Sequence, residues 1–303
     1  MEIIKIATRK SLLALWQARF IAARLADIDE NITVEFVEIL TKGDKWLDGP
    51  LYELGGKGLF IKELEMALID GRADMAVHSV KDIPSVISGD FVLPVLGYRD
   101  SYQDVLVGCS SLAGLKKGAK VGSASLRRKI QLQTIRPDLN VETVRGNVDT
   151  RLQKLDSGEF DALVLAEAGL KRLGIQREES YVIPIDVCLP APGQGALGVQ
   201  VLRSNPKRTI LESLCDEHAY ACIEAERLVS AGLGADCSLP IGALATYVDG
   251  AIKLRAFLSD ATGAEIILAE ESGTEKGEVV ESVLSSLFSQ GAQRILDGLN
   301  RQA

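Results

Sequence analysis

The feature that most constrains this chain is the repeated alternation of short apolar runs with amphipathic segments at helical spacing. Residues 3–7 form an apolar run, and a polar turn leads from it into apolar positions at helical spacing between Leu12 and Leu25. The same order returns at 33–40 and 58–69, and it restarts near residue 120. Alternating strand and helix patterns predict an α/β architecture.

The pattern divides the chain into three units. The predicted strands of the first two units lie at 3–7, 33–40, 74–77, 91–96, 120–122, 141–144 and 162–165, and the predicted helices at 12–25, 58–69, 123–128 and onward, 148–155, and a segment ending at Gly174. A further apolar run at 196–201 is interpreted as a strand returning to the first unit. After residue 217 the pattern becomes α+β, with a helix at 218–228, strands at 241–247 and 252–258, and a helical C-terminus.

We therefore predict two α/β lobes around a cleft and a third, small α+β domain. The predicted boundaries are 1–98 plus 196–214 for lobe 1, 99–195 for lobe 2 and 215–303 for the third domain. A chain of 303 residues is long enough for two or three cores.

Composition argues against several classes of partner. The net charge is −8 and aromatic residues make up 5% of the chain, whereas nucleic-acid binding favours a basic face and stacking rings. No run of about 18 apolar residues indicates a membrane span, and MEIIKIA at the N-terminus lacks a signal-peptide pattern. We expect a cytoplasmic protein without nucleic-acid or membrane partners.

The cysteines and histidines exclude further kinds of site. The chain has 5 cysteines, without a CxxC pair, and 2 histidines, His78 and His218. An odd number of unpaired cysteines disfavours a disulfide framework, and so few histidines disfavour zinc, so no metal is expected. Neither histidine accompanies a GxSxG turn, which leaves a hydrolase triad without support.

Nine basic residues stand out because most of them fall at or just after the predicted strand ends, although the protein is acidic. They are Arg9, Lys42, Lys57, Lys81, Arg127, Arg128, Arg145, Arg151 and Arg172. The carboxyl ends of parallel strands and the following helix N-termini are where α/β sheets bind anions, and Ser11 and Ser125 are placed to cap such helices. The pattern predicts a small polyanion held between two lobes; spacing alone leaves both a polycarboxylate and a phosphorylated ligand open.

Single residues have ordinary interpretations beside these functional ones. One arginine is often only a solvated surface charge, and Asp82, just before Ile83-Pro84, fits a turn residue. Cys237 lies in the polar, glycine-bearing segment GLGADCSLP, unlike the apolar surroundings of Cys188 and Cys222. The segment GGKGLF (55–60) resembles an anion cradle but is neither a Walker A loop nor GxGxxG.

Taken together, the motifs of the chain resemble the porphobilinogen deaminase family. They are IATRKSLLALWQA (6–18), TKGD (41–44), GGKGLFIKELE (55–65), DMAVHSVKDIP (74–84), GSASLRRKIQL (122–132), RGNVDTRLQKL (145–155), AGLKRLG (168–174), PAPGQGALG (190–198) and CSLPIGA (237–243). Several are generic alone, but the ordered set spans nearly the whole chain and is specific.

This resemblance implies a function and a set of site residues. The first two domains would resemble a periplasmic-binding-protein pair, and a dipyrromethane cofactor would be bound covalently to Cys237 in the third. Asp82 would be the catalytic carboxylate, and further side chains would bind the acetate and propionate groups of cofactor and growing chain. Those implied for carboxylate binding are Arg9, Ser11, Lys81, Ser125, Arg127, Arg128, Arg145, Arg151 and Arg172, with Lys57, Phe60 and Gln194 lining the cleft.

The implied reaction joins four porphobilinogen molecules head to tail on the cofactor, and hydrolysis then releases hydroxymethylbilane. We expect a monomeric transferase of tetrapyrrole (haem) biosynthesis. The chain departs from the family pattern at Ala235-Asp236, where Gly-Gly is usual before the cysteine, and at Gln200, where Glu is usual. Two alternatives remain: a non-catalytic two-lobed binding protein for a small polyanion, and a transferase for a phosphorylated ligand.

Overall fold

The computed structural model describes residues 2–45, 58–234 and 239–301. The strands are β1 (Glu2–Arg9), β2 (Ile32–Ile39), β3 (Met75–Ser79), β4 (Phe91–Gly97), β5 (Asp104–Val107), β6 (Lys120–Gly122), β7 (Asn140–Glu142), β8 (Ala162–Ala166), β9 (Ser180–Val182), β10 (Leu197–Leu202), β11 (Ile241–Val248), β12 (Ala251–Ser259) and β13 (Ile266–Gly273). The helices are α1 (Leu12–Ile28), α2 (Lys42–Lys45), α3 (Lys62–Ile69), α4 (Leu126–Ile135), α5 (Val148–Asp156), α6 (Glu167–Arg172), α7 (Arg208–Glu212), α8 (Glu217–Gly232), α9 (Lys276–Ser289) and α10 (Ala292–Asn300). The described strands form three sheets.

The first sheet, the core of lobe 1, has the strand order β2-β1-β3-β10-β4. β1 is parallel to β2 and β3, whereas β10 is antiparallel to both β3 and β4. The predicted return of the apolar run near residue 197 to the first unit is therefore confirmed. Helix α1 begins after Ser11, whose side chain accepts a hydrogen bond from the Ala14 amide, and packs Ile21 and Leu25 against Ile4 and Ile6 of β1.

The second sheet, the core of lobe 2, has the order β7-β6-β8-β5-β9. Strands β6, β7 and β8 are parallel neighbours, and β5 is antiparallel to β8 and β9. The chain thus enters lobe 2 after β4 and leaves it before β10, so two connecting segments join the lobes. Strands β5 and β9 were not predicted; the helix predicted over 58–69 begins later, at Lys62, after a turn.

The third sheet is the antiparallel meander β11-β12-β13. One face packs on α8, α9 and α10 and forms a core of its own, as the α+β pattern predicted. On the other face Leu244 and Phe257 contact Ile130 and Leu189, which brings the third domain against lobe 2. None of the helices in the described residues has the length and apolar character that crossing a bilayer requires.

Candidate active site

A cavity of about 170 Å³ lies where the two lobes and the third domain meet. Lobe 1 contributes Lys81 and Asp82, lobe 2 contributes Ser125, Arg127 and Arg128, the connecting segment contributes Gln194, and the third domain contributes Arg227, Ser230, Leu239 and Ile241. Six side chains implied by sequence are therefore brought to one place. Among the described lining residues, Asp82 is the only carboxylate.

Asp82 reaches the cavity because the chain turns sharply at the end of β3. Val80–Asp82 form one 3₁₀ turn directly after the strand, and the Val80 amide donates to the carbonyl of Ala196 at 3.1 Å. Gly193 makes this approach possible, since its φ is +72° and an added Cβ would lie 2.4 Å from Cγ1 of Val80. The connecting segment is thereby pressed against the Asp82 turn.

Arg127 and Arg128 share one buried carboxylate. Ser125 caps α4 by accepting from the Arg128 amide, which places both arginines in the first helical turn. Nη2 of Arg127 lies 2.9 Å from Asp104, and Nη2 of Arg128 lies 2.7 Å from it. The Gln194 amide also donates to Asp104 at 2.8 Å. Because two guanidinium groups share one carboxylate, Arg127, Arg128 and Asp104 together carry a net positive charge.

Burial and neighbouring charges both shift pKa values around the cavity. Burial opposes the charge of Asp104, but Arg127 and Arg128 outweigh it and hold the pKa of that carboxyl well below its usual range. Burial, and then the charge of Arg128, lowers the pKa of Lys81 to about 8, although Asp82 and Asp104 oppose this. Burial is therefore the main reason that Lys81 loses its proton more easily, and the charge of Arg128 adds to it.

Arg145 and Arg151 extend this positive region. Both lie around the N-terminus of α5, where Nε of Arg151 donates to the carbonyl of Gly146 at 2.7 Å. Burial lowers the pKa of Arg151 to about 10, and the charges of Arg128 and Arg145 add to the effect while Asp82 opposes it. Neither residue lines the cavity itself, but their charges reach it.

In lobe 1, Arg9 has its own partners. Its guanidinium makes a bidentate contact with Asp44 and lies 4.1 Å from the centre of the Phe60 ring. Burial favours a neutral Asp44, but the hydrogen bonds from Arg9 and Thr41 lower the pKa of that carboxyl overall. Arg9, Phe60 and the helix cap Ser11 lie outside the set of cavity-lining residues.

Arg172 lies at the junction of the lobes rather than in the cavity. Its Nη2 donates to the carbonyls of Gly195 at 2.6 Å and Tyr98 at 3.2 Å, which belong to the two connecting segments. Burial lowers the pKa of Arg172 to about 10. The predicted carboxylate-binding role of Arg172 stays a prediction, since its described hydrogen bonds go to the backbone.

Two of the implied residues, Lys57 and Cys237, lie outside the described residues. The described cysteines are all free thiols. Burial raises the pKa of Cys188 to about 12 and that of Cys222 to about 11, as their apolar surroundings suggested. Both therefore remain protonated thiols near neutral pH and are poor nucleophiles.

Comparison with known proteins connects this site to a family. The family model for the dipyrromethane cofactor binding domain of porphobilinogen deaminase matches residues 4–210, and the model for its C-terminal domain matches residues 220–288. A curated porphobilinogen deaminase of Thiobacillus denitrificans is 42% identical over 99% of both chains. One of Nitrosomonas europaea is 43% identical over 98% of both chains. The chain belongs to the porphobilinogen deaminase family.

Among solved structures, the periplasmic aliphatic sulphonate binding protein of Escherichia coli superimposes with a TM-score of 0.43 and 13% identity, covering 100% of this chain and 91% of that one. The two lobes are defined by the strand orders of their own sheets and not by that similarity.

The charge of the site fits the family's dipyrromethane cofactor. A pyrrole chain bearing acetate and propionate groups needs fixed cations, and Lys81, Arg127 and Arg128 all line the cavity. Within the described residues no cluster of His, Cys, Asp and Glu side chains is arranged to hold a metal ion.

Several side chains of the site were not foreseen. Asp104 neutralises half of the arginine pair, yet its sequence context, SYQDVLVG, shows no motif. Glu226 and Arg227 lie on α8, where the pattern predicted a helix, but their contacts with Gly193, Ile83 and Pro84 join positions more than 30 residues apart in sequence. Arg99, which contacts Glu226, was likewise not among the residues implied by the sequence.

Proposed function

We propose that this protein condenses four porphobilinogen molecules on a dipyrromethane bound covalently to Cys237 and releases hydroxymethylbilane. One observation supports the proposal above all: Asp82, the sole carboxylate among the described lining residues, shares the cavity with Lys81, Arg127 and Arg128. These three cations outnumber the one carboxylate, Asp104, with which the two arginines are paired. Such a site suits a substrate that carries carboxylates and becomes a cation during the reaction.

The cations select and orient the substrate. Each porphobilinogen brings two carboxylates, so every addition raises the demand for positive charge. A guanidinium group donates two parallel hydrogen bonds to a carboxylate, and such charge-assisted bonds are stronger than neutral ones. We assign carboxylate binding to Arg127, Arg128, Arg145 and Arg151 and, in lobe 1, to Arg9, with Ser11 and Ser125 adding hydroxyl groups. Because Arg127 and Arg128 donate to Asp104 and to the carbonyls of Leu189 and Val164, we assign to these two an attraction by charge rather than a bidentate contact.

Asp82 acts at the reacting pyrrole. Loss of ammonia from porphobilinogen leaves an azafulvenium cation, and a fixed carboxylate stabilises the charge that develops in that step. The dipyrromethane, when bound, supplies the nucleophilic pyrrole carbon that begins the chain. The buried turn at Val80 and the closely packed Gly193 hold Asp82 in place, so little reorganisation is needed.

The charge of Lys81 depends on pH and on whether a substrate carboxylate is bound. Its pKa of about 8 lies well below that of a free lysine because of burial and the neighbouring arginines. A substrate carboxylate at this position favours the protonated form and raises that pKa again. Substrate binding above neutral pH is therefore coupled to proton uptake by Lys81.

The domain limits, location and assembly form part of the proposal. We propose lobe 1 at 1–98 plus 196–214, lobe 2 at 99–195, and a cofactor-attachment domain at 215–303, supported by the three sheets. We further propose a cytoplasmic monomer, which size-exclusion chromatography with light scattering would test.

A turnover assay separates this enzyme from a binding protein of the same fold. Incubation with porphobilinogen should release one ammonia per substrate consumed and form hydroxymethylbilane. Alkylation of the active protein under denaturing conditions should label Cys109, Cys188, Cys215 and Cys222 but leave Cys237 blocked. Saturable binding of porphobilinogen without ammonia release would instead support the non-catalytic alternative.

A further inference from the structure

Helix α8 of the third domain carries two adjacent buried charges that contact different parts of the lobes. Glu226 accepts from Arg99 at 2.6 and 2.8 Å and from the amides of Gly193 and Ala245 at 2.7 Å each. Arg99 and Gly193 belong to the two segments that connect the lobes. Glu226 therefore fixes α8 to the junction of the lobes.

Its neighbour Arg227 contacts the segment that follows Asp82. Nη2 of Arg227 donates to the carbonyls of Pro84 at 2.8 Å and Ser85 at 3.2 Å, and Nη1 donates to the carbonyl of Ile83 at 3.3 Å. Three consecutive peptide groups thus converge on one guanidinium group.

The same helix leads toward the proposed cofactor residue. α8 ends at Gly232, and Cys237 follows five positions later in the sequence. Arg227 and Ser230 of this helix also line the cavity. One rigid element therefore connects the Asp82 turn with the segment that carries Cys237.

We propose that Arg227 is a positioning residue, which fixes the Asp82 carboxylate relative to the pyrrole chain held by the third domain. This proposal rests on the proposed function. Asp82 belongs to lobe 1 and Cys237 to the third domain, so their relative position depends on contacts between these domains. Arg227 makes that contact next to Asp82 itself, and a misplacement of about 1 Å can reduce a rate by about 100-fold.

The first test does not depend on activity. Hydrogen–deuterium exchange of the full chain should show faster exchange in peptides covering residues 80–88 for Arg227→Gln, and a smaller increase for Arg227→Lys. The control is Arg136→Gln, because Arg136 also donates to two carbonyls, those of Leu112 and Leu115, but within lobe 2. Unchanged exchange at 80–88 in Arg227→Gln would overturn the proposal, even if the protein failed to consume porphobilinogen.

The second test asks whether Arg227 acts through Asp82. Arg227→Gln should lower kcat about 10- to 100-fold and change KM less than about threefold, with the cofactor mass retained. In an Asp82→Glu protein, where the carboxylate is already displaced, Arg227→Gln should lower kcat by less than about threefold. The effects of the two substitutions on kcat would then be non-additive. Arg227→Lys should recover part of the loss, and Arg136→Gln should keep the wild-type kcat.

If Arg227→Gln lowered kcat equally in the protein with Asp82 and in the Asp82→Glu protein, Arg227 would only hold the domains together. The positioning role would then be wrong. A wild-type protein that consumes no porphobilinogen would contradict the proposed function instead, and the exchange experiment would then decide on Arg227 alone.

Discussion

The two lobes place arginines at comparable positions but compensate them differently. In lobe 1, Arg9 ends β1 just before the Ser11-capped helix, and it is paired with Asp44 and covered by Phe60. In lobe 2, Arg127 and Arg128 follow the cap Ser125, and the two share Asp104. The comparison shows that the number of paired carboxylates, and not the strand-end position, distinguishes the local charge of the two sites.

The surplus charge of lobe 2 acts across the cleft. Arg128 contributes to the lowered pKa values of both Lys81 in lobe 1 and Arg151 in lobe 2. Asp82 lies at the edge of this positive region and opposes both shifts. We therefore expect substitutions around Asp82 and lobe 2 to affect turnover strongly, and matched substitutions in lobe 1 to affect it less.

The largest effect is expected for Asp82→Asn. Asn preserves the shape of the side chain but removes the charge that faces the azafulvenium, so kcat should fall about 10²- to 10³-fold. The melting temperature should stay within a few degrees of wild type, and Asp82→Glu should keep partial activity. If Asp82 were only a turn residue before Ile83 and Pro84, the Asn variant would remain active.

A matched pair of arginine variants tests the contrast between the lobes. Arg128→Leu leaves Asp104 and Arg127 as a balanced pair and removes the surplus, so chain growth should stall, with a loss of about 1.5–3 kcal/mol per desolvated contact. Arg9→Leu should weaken porphobilinogen binding less and destabilise the protein more, because Asp44 loses its partner.

Steady-state kinetics and thermal melting of both variants check this contrast, and Arg127→Leu and Arg145→Leu extend it. A greater loss of kcat/KM in Arg9→Leu than in Arg128→Leu would reverse the assignment of the main anion-binding region.

The pH dependence of porphobilinogen binding should follow the protonation state of Lys81. Its pKa is about 8 in the free protein, and carboxylates bind the protonated form better, so binding should weaken as pH rises through that value. We expect KM to increase by up to about tenfold between pH 7 and pH 9. Lys81→Arg keeps its charge over this range and should show a flat profile. An equal rise in KM for both proteins would place the titration elsewhere.

The smallest effect on activity is expected for substitution of His78, a buried histidine of lobe 1. Its Nε2 lies within hydrogen-bond distance, 3.1 Å, of Oε1 of Gln200. Burial lowers its pKa to about 4, although the hydrogen bond with Gln200 opposes the shift. The unfolded chain takes up this proton near pH 6.5 and the folded one only near pH 4, so folding stability falls as pH drops through that interval.

This effect should lower the free energy of unfolding of the wild-type protein by about 3 kcal/mol at pH 4, and the His78→Gln variant should not show it. Urea unfolding between pH 7 and pH 4 compares this variant with wild type and with a control, His218→Asn, at an exposed position. Parallel curves for His78→Gln and wild type would contradict the neutral state of the buried imidazole.

The repeated strand and helix pattern was sufficient to predict most of the fold, because the apolar spacing and the caps Ser11 and Ser125 are local properties of the sequence. Strands β5 and β9 are only four and three residues long, and short runs of this kind are hard to distinguish from loops. β13 was missed because its apolar run is short and is followed within the strand by Glu270 and Glu271.

The site was predictable to a smaller extent. The family motifs identify Asp82, Arg127 and Arg128, but the pairing with Asp104 spans 23 and 24 positions and depends on how β5 lies beside α4. The contact of Arg227 with Pro84 spans 143 positions and crosses between domains. Contacts of this kind follow from tertiary packing, which a single sequence does not encode in a local pattern.

Under the proposed function, the pyrrole chain grows on a primer attached to this protein at Cys237. Intact-protein mass spectrometry can detect that primer on wild type and Cys237→Ser, before and after brief exposure to porphobilinogen. We predict a dipyrromethane-sized excess in wild type, further steps of one pyrrole unit each after exposure, and neither in Cys237→Ser. An unmodified, unchanging wild-type mass, or an excess that persists in Cys237→Ser, would contradict the account.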